Sequence, residues 1–300
     1  MDKFLTRRTA GALLGAVALA LPLGGCGSSQ THEYAFDVPP TVGMLAVDVQ
    51  NYRGSVEIRV DDRVQQAQVV GVVHGNASMG KDAQEAARRA VVEARLVEEG
   101  ARATLVVRTA TPLENRGDHE VDLEVRVPRC EGVRVENQGG NVILVGTGGA
   151  TLVENRQGVI ELRTTQPMVD PVTLVNVDGS IYYQVPPGST GQFDLETLDG
   201  GVWYRDRDSE TDRAYAAPSM YQARLADGAN PVVARTSRGN INVWIDDDAH
   251  KNTRLVKEAF SDPRDTWFLQ GSRRYTRNLP ESHPEVQRKV RAPIDYSGSY

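Results

Sequence analysis

Thiols are nearly missing from this chain: Cys26 and Cys130 are the only cysteines in 300 residues. A framework of several disulfides is therefore excluded. Aromatic residues make up only 6%, against 28 glycines and 15 prolines, a balance that fits many short strands and turns better than long helices. The apolar stretch Ala10 to Leu21 is too short to span a bilayer as a stable helix. The five histidines (His32, His74, His119, His250 and His283) are scattered. None belongs to a His-Glu-x-x-His pair, and no Gly-x-Ser-x-Gly elbow occurs. Carboxylates are too plentiful for an acid–base pair to be picked out by inspection.

What the chain does have is a ten-residue pattern, apolar-x-Asn/Thr-x-x-Gly-x-Val/Ile-x-apolar. Its clearest copies are Val135 to Leu144, with Asn137 and Gly140, and Val153 to Leu162, with Asn155 and Gly158. Four more copies start at Val49 (Asn51, Gly54), Leu174 (Asn176, Gly179), Leu195 (Thr197, Gly200) and Ala234 (Thr236, Gly239). From Val135 the starts advance by 18, 21 and 21 residues and then by 39, so the last step is expected to carry an insertion. The Val/Ile-x-apolar half alternates at period two, as a half-buried strand does. The Asn or Thr turns the chain through side-chain-to-backbone hydrogen bonds, and the Gly admits a positive φ or a close backbone neighbour. A period near twenty, in units of strand, corner and strand, predicts an all-β fold: a short β-helix or β-roll solenoid whose repeats bury their apolar faces by stacking. The competing reading is a set of ordinary hairpins in a β-sandwich.

The first 25 residues read as an export signal, with Lys3, Arg7 and Arg8 ahead of the apolar run. Arg7-Arg8 leaves both Sec and twin-arginine export open. Leu23-Gly24-Gly25-Cys26 resembles the lipobox of bacterial lipoproteins. That resemblance implies acylation of Cys26, which becomes the mature N-terminus, and multiple acyl chains anchor a protein stably where one does not. Gly27 after the Cys leans, by the same resemblance, towards the outer membrane where the source has two membranes. Loss of Lys3, Arg7, Arg8 and Asp2 takes the formal charge from −6 to −8, which argues against a nucleic-acid partner. Cys130 is then the sole thiol, expected to be buried and structural.

Residues 26–44 are expected to be the lipidated tether and 45–130 a strand-rich cap, which would cover the open edge of the first repeat. Strands are expected at Val47-Val49, Val56 to Val60, Val69 to Val73, Leu96-Val97, Leu105 to Val107 and Val121 to Val127, with a turn at Glu98 to Gly100. One short helix is expected from Asp82 to Ala90 or somewhat further, with the stripe Ala83, Ala87, Ala90, Val91 and Ala94. Gly75 to Asp82 (GNASMGKD) nearly matches a phosphate-binding loop, but Asp82 stands where a Ser or Thr would hold magnesium. Asp82 suits a helix N-terminus better, and no nucleotide cofactor is assigned.

A lipobox, a first Asn-x-x-Gly copy, an Ala-rich helix, a strand ending Val125-Arg126-Val127-Pro128 and serial repeats of the Val135-Glu136-Asn137 type together resemble the putative-adhesin family. These are bacterial envelope proteins with β-helix or β-roll repeats, and the resemblance covers roughly 45–245. It implies an envelope location and an interaction role, and it transfers no catalytic residue.

The solenoid is expected over 131–248, with a solvated insertion at about 205–230, and a C-terminal cap and basic tail over 249–300. If Ile181, Tyr183, Val202 and Tyr204 face inward, then Tyr182 and Trp203 face outward at the same motif position on successive repeats. Glu161 and Asn242 hold that position on the other copies, and Arg163 and Arg205 lie two residues further along. Tyr182, Trp203, Arg163 and Arg205 are thus a candidate platform for a sugar ring or peptide; a stabilising aromatic ladder is the plainer reading. Asp246-Asp247-Asp248-Ala249-His250 lacks the Gly and closing Glu of a calcium loop, so no metal is assigned. The expectation is a lipid-anchored, non-enzymatic envelope protein that contacts envelope polysaccharide or another envelope protein. A polysaccharide-lyase-like enzyme on a β-helix scaffold and an envelope-stress accessory protein are the alternatives.

Overall fold

Alternating Val, Ile and Leu with few helix signals leave the backbone little choice but to pair laterally. All nineteen elements of the described residues are strands. The computed structural model describes residues 31–38, 43–75, 89–111, 119–206 and 211–246, all within one compact unit, Met1–Thr253. The strands are β1 (Thr31–Asp37), β2 (Met44–Asn51), β3 (Val56–Val60), β4 (Gln68–Gly75), β5 (Val91–Glu99), β6 (Arg102–Ala110), β7 (His119–Val127), β8 (Gly132–Asn137), β9 (Val142–Val145) and β10 (Ala150–Gln157). They continue as β11 (Ile160–Arg163), β12 (Val172–Asp178), β13 (Ile181–Val185), β14 (Gly191–Asp199), β15 (Val202–Asp206), β16 (Thr211–Ala217), β17 (Met220–Leu225), β18 (Pro231–Arg238) and β19 (Ile241–Ile245).

They form two mixed sheets, a nine-stranded one in the order β1-β4-β7-β3-β9-β11-β13-β19-β15 and a ten-stranded one in the order β16-β17-β14-β18-β12-β10-β8-β2-β6-β5. Each copy of the motif puts one strand in each sheet and its corner between them. The order of copies is the same in both sheets: β2–β3, β8–β9, β10–β11, β12–β13, β18–β19, β14–β15. All neighbouring copies pair in parallel. A further parallel repeat, β6 with β7, precedes β2–β3. Antiparallel strands flank both ends: β5 on β6, β4 on β7, and β17 on β14.

Inward side chains fill the space between the sheets, with Val49, Val135, Val153, Leu174 and Leu195 from one and Ile58, Leu144, Leu162, Tyr183 and Val243 from the other, all at most 1% exposed. The corners are polar but equally buried. Asn51 pairs in register with Asn137, Asn137 with Asn155, Asn155 with Asn176, Asn176 with Thr236 and Thr236 with Thr197. From Asn137 on, each reaches to a glycine carbonyl of the copy beside it, whereas Asn51 Nδ2 donates to Val121 O on β7 at 3.0 Å. Asn155 Nδ2 donates to Gly140 O at 3.1 Å, Asn176 Nδ2 to Gly158 O at 2.7 Å, Thr236 Oγ1 to Gly179 O at 2.9 Å and Thr197 Oγ1 to Gly239 O at 2.8 Å. The side chains thus satisfy carbonyls that a turn would otherwise bury unpaired. Asn155→Ala removes the shorter of the two side-chain bonds to Gly140 O and one of the two bonds to Gln157 O, which also accepts from Gly140 N, and is expected to cost about 1–2 kcal/mol in chemical denaturation. Asn155→Thr, the residue that two other copies use, is expected to recover most of that. Equal losses in the two variants would show that packing rather than the hydrogen bond matters.

Five expectations need correction. Val91 and Ala94 lie on β5, not on a helix: β5 pairs antiparallel with β6, Ala94 facing Val107 and Leu96 facing Leu105. Weak helix propensity yields here to tertiary pairing; Asp82 to Arg88 lie outside the described residues. The stretch 26–44, read as tether, contains edge strand β1, which pairs along β4. The insertion at 205–230 is in large part strand, since β16 and β17 extend the ten-stranded sheet. The last copy in sequence is not the last in space: β18–β19 sits between β12–β13 and β14–β15. The boundary drawn near residue 130 also separates two copies, β2–β3 and β8–β9, that pair directly.

Candidate functional site

Strand alternation turns a stack of parallel copies into rows, because register partners share a face. On the outer side of the nine-stranded sheet one row runs Glu57, Ile143, Glu161, Tyr182, Asn242, Trp203. The next runs Arg59, Val145, Arg163, Gln184, Trp244, Arg205. Charged pairs at the β3 end give way to aromatics at the β15 end.

The middle of these rows is shut away from water although it faces away from the core. Glu161 is 1% exposed, Arg163 3%, Gln184 1% and Tyr182 6%, whereas Trp203 is 46% exposed. Arg163 Nη1 approaches Glu161 Oε1 at 2.9 Å. Burial raises the Glu161 carboxyl above its ordinary range, against the opposing pull of Arg163. A paired buried carboxylate is tolerated, whereas removing one partner leaves an uncompensated charge. Among the described residues, neither buried amide atom of Gln184 has a hydrogen-bond partner. The Tyr182 ring stacks on Trp244, with centroids 6.0 Å apart and planes 25° apart, and burial pushes its hydroxyl up to about 12.

The expected stacking of Tyr182 on Trp203 does not occur. Asn242 pairs with both of them and stands between them, because the β18–β19 copy is inserted there. Of the candidate platform, Arg163 and Tyr182 lie on neighbouring strands, joined by Glu161 and Gln184. Trp203 and Arg205 lie on edge strand β15, exposed. Trp244, which sequence reasoning passed over, sits where Gln184 and Arg163 do in the other copies. Aligning the copies by their corners would have shown it.

The other outer face is partly exposed throughout and carries ion pairs such as Arg238–Asp178 at 2.7 Å and Arg235–Glu196 at 3.5 Å. Such solvated pairs contribute little each. Cys130 is 4% exposed, and burial pushes its thiol up to about 11, as suits a structural residue. Among the described residues, no group of three His, Cys, Asp or Glu could hold a metal ion. Asp247 to His250, Cys26 and most of the phosphate-loop-like stretch, residues 76–82, lie outside the described residues.

No family model matches the chain, and no curated protein matches it. Among solved structures it is similar to a putative cell adhesion protein from Clostridium sporogenes ATCC 15579, at 10% identity and TM-score 0.50, over 71% of this chain and 99% of that one. It is also similar to a putative adhesin from Parabacteroides distasonis ATCC 8503, at 10% identity and TM-score 0.27, over 53% and 61% of the two chains. A third, a putative adhesin from Bacteroides fragilis NCTC 9343, has 7% identity and TM-score 0.26, over 73% and 99%. At such identity the first is a likeness of fold alone.

Proposed function

We propose that the chain is a lipid-anchored protein of the bacterial envelope, acylated at Cys26, whose parallel repeats form a short β-roll solenoid. Its role is non-enzymatic: adhesin-like surface interaction or envelope organisation, through envelope polysaccharide or another envelope protein. The observation that carries this reading is the unbroken corner register. It fixes the outer side chains of six motif copies in straight rows across adjacent strands, which is the geometry of an extended contact surface. The fold it shares with the Clostridium protein supports the same reading, as does the formal charge of −8 left once residues 1–25 are removed, which disfavours nucleic acid.

The test is metabolic labelling with an alkyne fatty acid in a bacterial host with two membranes, followed by fractionation and a pull-down of the full-length chain from solubilised envelopes. Label on wild type but not on Cys26→Ala, membrane recovery that depends on Cys26, and a co-purifying envelope polysaccharide or protein are expected. An unlabelled chain, or one that retains no envelope component, would overturn the proposal.

A further inference from the structure

We infer that the stack stands on the membrane by its β1 corner, which meets the lipid headgroups, while the β15 edge is held away from them. This rests on the acylation of Cys26 proposed above and adds which surface faces the bilayer.

The anchor and the folded body are close in sequence. Four residues, Gly27 to Gln30, separate Cys26 from β1, and five Cα steps reach at most about 18 Å. β1 is not spare tether. It pairs with β4 along its whole length, from Thr31 opposite His74 to Asp37 opposite Gln68. Phe36 is buried in the core, and Tyr34 Oη donates to Ala90 O at 3.0 Å, which ties β1 to the residue that precedes β5. β1 and β5 are the edges of the two sheets at one end of the stack, and β15 and β16 are the edges at the other. The nine strands from β1 to β15 span about 38 Å at roughly 4.8 Å per spacing, about twice the reach of the tether.

A stack lying flat on the bilayer would also satisfy the tether, but charge opposes that pose. Residues 249–300 hold ten Lys and Arg against six Asp and Glu, so the −8 left without residues 1–25 becomes −12 on residues 26–248. Anionic lipid repels such a body wherever it comes within a Debye length, about 8 Å. Beside Thr31 the described acids are paired. In register, Thr31 faces His74 and His74 faces Glu120. His74 Nε2 lies 3.1 Å from Asp122 Oδ2, and Arg53 Nε lies 4.0 Å from Glu120 Oε2. This corner therefore meets headgroups with little repulsion, and standing on it keeps the rest of the acidic body clear. Trp203 and Tyr215, 46% and 50% exposed, lie on the two edges turned away from the membrane.

The experiment measures energy transfer from a dye on a single introduced cysteine to a headgroup-linked acceptor. Full-length acylated protein, purified from host membranes, is reconstituted in vesicles of phosphatidylethanolamine and phosphatidylglycerol. Glu120→Cys on β7, Arg156→Cys at the β10–β11 corner and Trp203→Cys on β15 place the dye at three exposed positions along the stack, and buried Cys130 stays unlabelled in folded protein. Transfer is expected to fall in the order 120, 156, 203, and to be at least about twofold stronger at the first than at the last, some six strand spacings away. Inserting about 30 Gly and Ser residues after Ser29, a coil of about 30 Å, is expected to abolish that order. Equal transfer at the three positions, the reverse order, or an order that survives the insertion overturns the inference and leaves the acylation reading standing. A chain that carries no acyl label and does not stay on the vesicles sinks both.

Discussion

Gly179→Ala is expected to cost more than about 4 kcal/mol and to leave little folded protein at 37 °C. A Cβ at Gly179 would lie 1.8 Å from the carbonyl oxygen of Gly158 and 2.7 Å from its carbon, at a φ of +139° that L side chains rarely adopt. The obstacle is backbone, and it cannot rotate away. That carbonyl accepts from Asn176 Nδ2 at 2.7 Å, so a shift of Gly158 also breaks the corner bond of its neighbour. The copies are stacked in parallel contact on both sides, and a displacement at one corner loads the next. Gly100 supplies the control. Its φ is +64° but nothing lies within 4 Å of its Cβ position, so Gly100→Ala is expected to cost only about 1–2 kcal/mol, the penalty of a left-handed backbone. Urea denaturation followed by circular dichroism separates the two cases. Similar midpoints for Gly179→Ala and Gly100→Ala would mean that the corners are not in van der Waals contact.

The corner column shows why much of the fold was legible. Its chemistry is local: Asn or Thr, three residues before Gly, turns one chain segment whatever surrounds it, so Asn137 and Gly140 announce themselves in sequence. Stacking then demands the same spacing in each copy, and the apolar residues around Val142, Ile160 and Ile181 repeat it. The β6–β7 repeat escaped notice because its corner residue, Thr109, has no Gly three places on. Only the structure shows Thr109 Oγ1 donating to Asn51 Oδ1 at 2.7 Å. Pairing order was illegible for a different reason. Thr236 and Thr197 are interchangeable as corner donors, and nothing local says which of the two copies should lie against Asn176. The candidate platform inherited that ambiguity. Tyr182 and Trp203 share a motif position, but sharing a position does not make copies adjacent, and Trp244 entered the site through the copy that intervenes. The helix expected after Asp82 failed at Val91 and Ala94 because a period-two partner, β6, stood ready to pair with them.

The inserted copy also places the second severe substitution. β17 pairs with β14 on one side and β18 with β14 on the other, so the link from β17 to β18 must pass across the N-terminal end of β14. There it crosses the link that brings the chain from β13, an arrangement that connections in most folds avoid. Gly228 is the point of closest approach: a Cβ there would lie 2.1 Å from Gly191 N and 2.7 Å from Thr190 Cβ. Asn230 ties the two links, donating through Nδ2 to Thr190 O at 2.8 Å and accepting at Oδ1 from Thr190 Oγ1 at 2.9 Å. Gly228→Val is therefore expected to cost about 3 kcal/mol or more, and the loss should be regional. Stability in a stack of repeats is carried largely by nearest neighbours. Amide hydrogen exchange should accelerate across β14, β17 and β18 while β8 and β10, further along the same sheet, remain protected. Uniform acceleration would show that the stack opens as one cooperative body. Unchanged exchange in β18 would show that the crossing has room to spare and that β18–β19 is held between its neighbours by its corner and strand pairing alone.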